Sequence, residues 1–345
     1  MAFFEQLLAI LRNTFSECVR QPISLVILVI STLLVLLSNP LSAFTMSDDQ
    51  RMYVDIGLST VFMCGAILAS FLATAVVDRE ITNRTVLMVV SKPVPRATFV
   101  LGKYLGVTLA LFAITAVPAT SFLLVEVHGV MQTAATPIRW PVVVFGLLAV
   151  ATTIGTATWC NIFYGKSFAA LTSLIGGPLL IVAYILCLFF DWDWSTISAT
   201  KEFRGDLVVS ILLMFLSLTV IAAIAVALST RLGQVMTIGI SLGILVLGLL
   251  SDWIFARRIL ALEQVIAVRD AVEGRAFGID DLALYGYKFG YAALPNFQVF
   301  WVVDAVNQEQ AIPLEYLELV VPYGVLMTIA ALAIAVALFQ RREVG

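Results

Sequence analysis

The chain has 345 residues, of which 61% are hydrophobic and only 12% charged, with a net charge of −3 and a mean hydropathy of +1.02. A soluble domain carries roughly a quarter charged residues, so the composition excludes an ordinary water-soluble protein, and basic residues scattered in ones and twos leave no nucleic-acid footprint. Four well-separated cysteines (Cys18, Cys64, Cys160, Cys187) and the single histidine, His128, argue against a Cys/His metal site.

Residues 1–20 predict an amphipathic helix. Phe4, Leu8, Leu11, Phe15 and Val19 share one face, and Glu5, Arg12, Asn13, Ser16 and Arg20 lie towards the other. Because this segment continues directly into an apolar run, it reads as a helix in the membrane interface and not as a cleavable signal. Apolar runs follow at roughly 21–39, 56–77, 101–125, 141–163, 168–190, 207–229, 233–254 and 317–339. Each is too long for a barrel strand of about 9–11 residues, so the predicted fold is an all-α polytopic membrane protein of about eight spans. Residues 21–254 hold the first seven spans, 255–316 form a long loop with short helices, and 317–345 supply the last span and a tail.

Lysines and arginines set the expected orientation. With the N-terminus cytoplasmic, the inner flanks receive Arg12, Arg20, Arg79, Arg84, Lys92, Arg96, Lys103, Lys166, Arg231, Arg341 and Arg342. The short outer loops receive Arg51, Arg139, Lys201 and Arg204, with Trp140, Trp192, Trp194, Trp253 and Tyr316 as an outer aromatic belt. Both termini are then cytoplasmic, and 255–316 is extracytoplasmic.

Several patterns bear on chemistry. Gly165-Lys166-Ser167 resembles the tail of a P-loop, but the glycine that motif requires five positions earlier is Cys160, and no strand precedes it. No Asp, Glu or His falls at mid-depth in any expected span, which argues against intramembrane catalysis and against ion coupling through such a group. Gly239 and Gly243 in span seven, and Gly146, Gly155, Thr152, Thr153, Thr156 and Thr158 in span four, are expected to pack against other helices of the same chain; a subunit seam is the other reading.

Two connections are too long to be simple returns. Residues 78–100 open on Asp78, Arg79 and Glu80, predict a short helix over Glu80–Val90, break at Pro93 and Pro95, and lead through Gly102-Lys103 into span three. Residues 255–316 predict an amphipathic helix at Glu263–Glu273, then a Gly- and Tyr-rich run, Tyr285–Tyr291, then Leu294-Pro295-Asn296-Phe297.

Glu80, Thr85, Pro93, Arg96, Gly102 and Lys103, in that order between spans two and three, resemble the signature of ABC-2-type transporter permeases. Arg84 stands where that family often has glycine. The Pro-Asn-Phe segment resembles the copper-enzyme-maturation (nitrous-oxide-reductase accessory) subgroup, although 255–316 contains no His, Met or Cys to bind a soft metal. The resemblance implies a subunit of the bacterial inner membrane without an ATPase site of its own. It implies a partner ABC ATPase that binds ATP and Mg and grips the 78–100 coupling segment through those six residues. A second permease copy or paralogue, membrane lipid and an extracytoplasmic partner complete the expected contacts, with no nucleic acid. The alternative is a membrane scaffold or regulatory protein that binds partners through 255–316 and transports nothing.

Overall fold

The computed structural model describes residues 2–44, 48–82, 95–130, 137–274, 277–308 and 310–340. Thirteen α-helices are seen among them: α1 Ala2–Arg20, α2 Pro22–Ser42, α3 Asp49–Thr82, α4 Arg96–His128, α5 Trp140–Tyr164, α6 Phe168–Cys187, α7 Ala199–Glu202, α8 Gly205–Ser229, α9 Gln234–Leu249, α10 Arg257–Glu273, α11 Ile279–Ala293, α12 Val303–Asn307 and α13 Leu314–Gln340. No strand occurs among the described residues, only an isolated bridge between Phe190 and Thr196. The helices α2, α3, α4, α5, α6, α8 and α13 are each long and apolar enough to cross a membrane. The chain is an all-α, multi-pass membrane protein.

Helices α3, α4 and α8 form the centre and bury most of their length, whereas α2, α5 and α13 keep broad apolar faces on the outside. Helix α2 shows how a membrane helix divides its surface. Ser24, Leu28, Ser31, Val35, Ser38 and Ser42 recur at heptad-like spacing and are buried. Val29, Leu33 and Leu37 on the other side are exposed. The small serines let α3 and α4 approach closely. Their hydroxyls donate to backbone carbonyls, Ser24 to Cys18 of α1 at 2.9 Å, and Ser31 to Leu28 and Ser38 to Val35 within α2 at 3.0 and 2.7 Å, so these serines strand no donor in an apolar medium.

The loops gather at two ends. At one, Asn39 donates to Gly129 O at 2.9 Å, Gln50 meets Glu126 at 3.4 Å, Arg204 also meets Glu126, and Asn307 donates to Asp55 at 2.6 Å. At the opposite end, Arg96 meets the end of α13 and α1 lies across the start of α4. These are called the Arg139 end and the Lys103 end below.

The seventh expected span, 233–254, is a broken one. Helix α9 stops at Leu249 after 16 residues, about 24 Å at 1.5 Å per residue. The chain bends by 51° at the break after Leu249 and resumes in a π turn, Asp252–Ala256, that runs on into α10. The two halves count as an eighth span only when taken together. The Pro-Asn-Phe segment packs just before the bend. A Cβ at Gly248 would collide with Pro295 O and approach Phe297 Cδ2 to 2.5 Å, and Phe297 N donates to Gly248 O at 3.2 Å. The Pro-Asn-Phe segment thus seats itself on the end of α9.

The glycines assigned to internal packing need correction. A Cβ at Gly146, Gly155, Gly239 or Gly243 would meet nothing within 4 Å, so all four face away from the rest of the chain. Of the span-four threonines only Thr153 is buried, against Gly176 of α6; Thr152, Thr156 and Thr158 are exposed. Gly165-Lys166-Ser167 is a helix-to-helix turn. Gly165 adopts φ 61° as the cap of α5, and Ser167 Oγ accepts from Ala170 N at 3.4 Å to cap α6.

Candidate functional site

Of the six residues in the resemblance, Arg96, Gly102 and Lys103 have described side chains. Glu80 belongs to the last turn of α3, whose backbone is helical to Thr82; its side chain, and all of Thr85 and Pro93, lie outside the described residues. So does the part of the expected Glu80–Val90 helix beyond Thr82. Pro95, with φ −58° and ψ 136°, immediately precedes α4 and lacks the N–H that the first turn would leave unbonded.

Helix α1 is docked on the first turns of α4. A Cβ on Gly102 would sit 2.8 Å from Ile10 Cγ2, and one on Gly106 would sit 2.6 Å from Thr14 Cβ and 2.8 Å from Leu11 O. The two glycines, one turn apart, form a flat seat for α1. Thr14, Cys18 and Val19 are buried on that side. Phe4 and Leu8 remain 72% and 64% exposed, an apolar stripe suited to lipid. Burial pushes the Cys18 thiol up to about 12, with Glu17 adding to the rise and Lys103 opposing it, so the thiol stays protonated.

Lys103 is buried beside this seat, with Nζ 5.7 Å from the Phe99 ring centroid. Phe99 stacks on Phe339 of α13 at 5.4 Å. Arg96 Nη1 donates to Phe339 O at 3.2 Å and to Gln340 O at 2.5 Å. The last carbonyls of a helix have no partner within it and carry partial negative charge, so a guanidinium there both bonds them and complements the dipole. The start of α4 thereby holds α1 through glycines and α13 through an arginine. A polar cavity of about 380 Å³ lies alongside, lined by Asn13, Ser16, Glu17 and Arg20 at the elbow between α1 and α2.

The Arg139 end is built from ion pairs. Arg139 Nη1 and Nη2 each donate to Glu202 at 2.9 Å; Nη2 also donates to Asp191 at 3.1 Å and Nη1 to Val127 O at 2.7 Å. Asp191 is held below its ordinary range by the Trp192 N–H and by Arg139. Arg204 bonds Asp206 at 2.6 Å and Glu126 at 3.3 Å. Two arginines thus clamp the ends of α4 and α6 to the starts of α5 and α8. Reading Arg139 and Arg204 only as flanking charges misses this, because their partners come from distant loops.

The third cluster lies at the base of the hairpin formed by α10 and α11. Asn296 Nδ2 donates to Asp252 Oδ1 at 2.8 Å and to Tyr291 Oη at 3.0 Å, and Tyr291 donates to Asp252 at 2.9 Å. Tyr323 of α13 accepts from Asn296 N at 2.7 Å. Burial, then the bond to Asp252, raises the Tyr291 phenol above its usual range, so it remains a donor. The Gly- and Tyr-rich run falls inside α11. The hairpin is pinned by Arg269–Asp281 at 2.8 Å and Lys288–Glu263 at 2.7 Å. Its Val272, Phe277, Ile279 and Phe289 are all more than 70% exposed.

Among the described residues no three His, Cys, Asp or Glu side chains could share a metal ion. No protein-family model matches the chain, and no curated protein sequence does.

Proposed function

We propose that the chain is the permease subunit of an ATP-driven, ABC-2-type exporter. In this reading two copies, or a copy and a paralogue, pair in the bacterial inner membrane with both termini cytoplasmic. A separate ATPase, binding ATP and Mg, docks at the Lys103 end and grips 78–100 near Glu80–Arg96. The observation that carries the reading is the assembly at the start of α4. A push on the segment between α3 and α4 moves both helices directly, α1 through Gly102 and Gly106, and α13 through Arg96. Helix α3 has 34 residues, about 51 Å long against a hydrocarbon layer of about 30 Å, so its ends project into water where a soluble partner can reach them. The outward-facing Gly239 and Gly243, and Gly146 and Gly155, supply close-approach surfaces for the second copy. Closure of the ATPase pair then rocks these bodies against one another and moves cargo along the seam.

One observation favours the scaffold reading. The α10–α11 hairpin leaves large apolar side chains uncovered at the far end from the coupling segment, which suits a binding partner independent of transport.

Affinity purification from membranes of the native host tests both. The intact chain is compared with Glu80→Ala/Arg96→Ala and with a variant whose 257–293 hairpin is replaced by a short linker. The permease reading expects a P-loop ATPase with the intact chain and the hairpin variant, lost from the double variant. If the intact chain retains no ATPase in several detergents but captures a protein that only the hairpin variant loses, the scaffold reading replaces it.

A further inference from the structure

A lateral groove runs along the outer surface of α3 from the Arg139 end inward. It consists of two adjoining cavities of about 420 and 310 Å³ that share Ser59 and Met63. Leu34 of α2 forms one wall, and Leu249 at the end of α9 forms the other. Its floor is mostly apolar, as expected of a surface that faces hydrocarbon. Its mouth is not. Asp55 stands at the first cavity and Asp304 of α12 at the second, and both carboxylates are exposed. Asn307 shares a face of α12 with Asp304, one turn on, and donates to Asp55 at 2.6 Å, which brings the two acids to the same rim. Neither has an ion-pair partner among the described residues. By contrast, Asp191 and Glu202 nearby are ion-paired to Arg139, and Glu126 and Asp206 to Arg204. Between the rim and the floor lies Trp301, whose ring is 5.7 Å from that of Phe62.

We propose that this groove binds an amphipathic molecule with a cationic ammonium head and an alkyl tail. The head is held by Asp55 and Asp304 beside the indole of Trp301, which attracts a cation through its ring face. The tail follows α3 past Ser59 to Met63, eight residues or about 12 Å along the axis. Two carboxylates at one rim repel phosphate and sulfate heads, and an uncharged head gains no ionic attraction from them. The site holds whether or not an ATPase drives the protein, since it depends only on α2, α3, α9 and the segment around Trp301.

Cys64 lines the same groove, whereas Cys18 and Cys187 are buried. Alkylation of Cys64 by a membrane-permeant maleimide, in a Cys160→Ser background in lipid nanodiscs, therefore reports occupancy. The probes are hexadecyltrimethylammonium, hexadecanol and hexadecyl phosphate at equal mole fraction. The expected result is that the ammonium slows alkylation by about tenfold, equivalent to about 1.4 kcal/mol, while the alcohol and the phosphate leave the rate unchanged. Asp304→Asn should lose most of this protection and Asp55→Asn/Asp304→Asn all of it. Asp304 makes no bond on which the fold depends, so its single variant keeps the test valid if the double variant unfolds. Equal protection by all three probes, or protection that survives Asp304→Asn unchanged, overturns the proposal. So does slow alkylation without any probe accompanied by Cys64–Cys64 crosslinking, which would make the groove a contact between two copies.

Discussion

Arg96 and Phe339 are 243 positions apart, yet the guanidinium of the first donates to the carbonyl of the second at 3.2 Å. This bond, with the adjacent one to Gln340, holds the final turn of α13 against the entry of α4.

Arg96→Ala should fray that turn. Cations near a helix C-terminus contribute about 0.3–1 kcal/mol, which predicts hydrogen exchange at Ala335–Phe339 faster by a few-fold, with little change in α5 or α6. Arg96→Lys should restore part of the protection, because a lysine reaches one carbonyl but lacks the planar fork that serves two.

Gly106→Ala should displace α1, and Gly102→Ala should do so less. At Gly106 the new methyl meets the backbone carbonyl of Leu11 at 2.8 Å; at Gly102 the nearest backbone atom, Leu7 O, is 3.4 Å away and the closest contacts are Cγ2 and Cβ of Ile10. Overpacking costs about 1–3 kcal/mol, more than the roughly 1 kcal/mol gained by replacing glycine within a helix. Proteolysis of α1 in detergent should be faster for Gly106→Ala than for Gly102→Ala, and slowest for the parent.

At the other end, Arg139→Gln should lower the apparent melting temperature in detergent by several degrees. It breaks charge-assisted bonds, each worth about 1.5–3 kcal/mol, to Glu202 and Asp191 and leaves two partly buried carboxylates together. Glu202→Gln should cost less, since Arg139 keeps Asp191 and Val127 O.

The hairpin carries its own pH dependence. Arg269, then the Gly278 N–H, hold the Asp281 carboxyl below its ordinary range. A group whose folded-state pKa is lowered contributes stability that is complete above its unfolded value of about 3.9 and disappears as pH falls through the lower folded value. Hydrogen-exchange protection of α10 and α11 should therefore be constant from neutrality to about pH 4 and drop only below it. Asp281→Asn should reduce protection at neutral pH and remove the acid transition.

Hydropathy was enough to locate seven long apolar helices, because a lipid-facing helix must be continuously apolar, although α3 begins seven and α4 five residues before the expected runs. It failed at α9, where the apolar run continues through Ile254 although the helix has already turned. The segment packed against Gly248 at that end comes from nearly fifty residues later in the chain. The seat for α1 was half legible: Gly102 stood in the motif, but Gly106 gains its meaning only from Thr14 and Leu11 opposite. The arginine clamps and the groove beside Asp55 were hidden for the same reason, since charge counting along a loop shows the sign of a residue and not the partner it meets.

The docking of α1 also bears on how the chain is assembled during synthesis. Helix α1 is translated well before Gly102 and Gly106 exist. Until α4 has entered the bilayer, the side of α1 bearing Thr14 and Cys18 has no surface of its own chain to rest on, and Phe4 and Leu8 can already hold the helix against lipid. Its final position on α4 can therefore be reached only after α4 has been made.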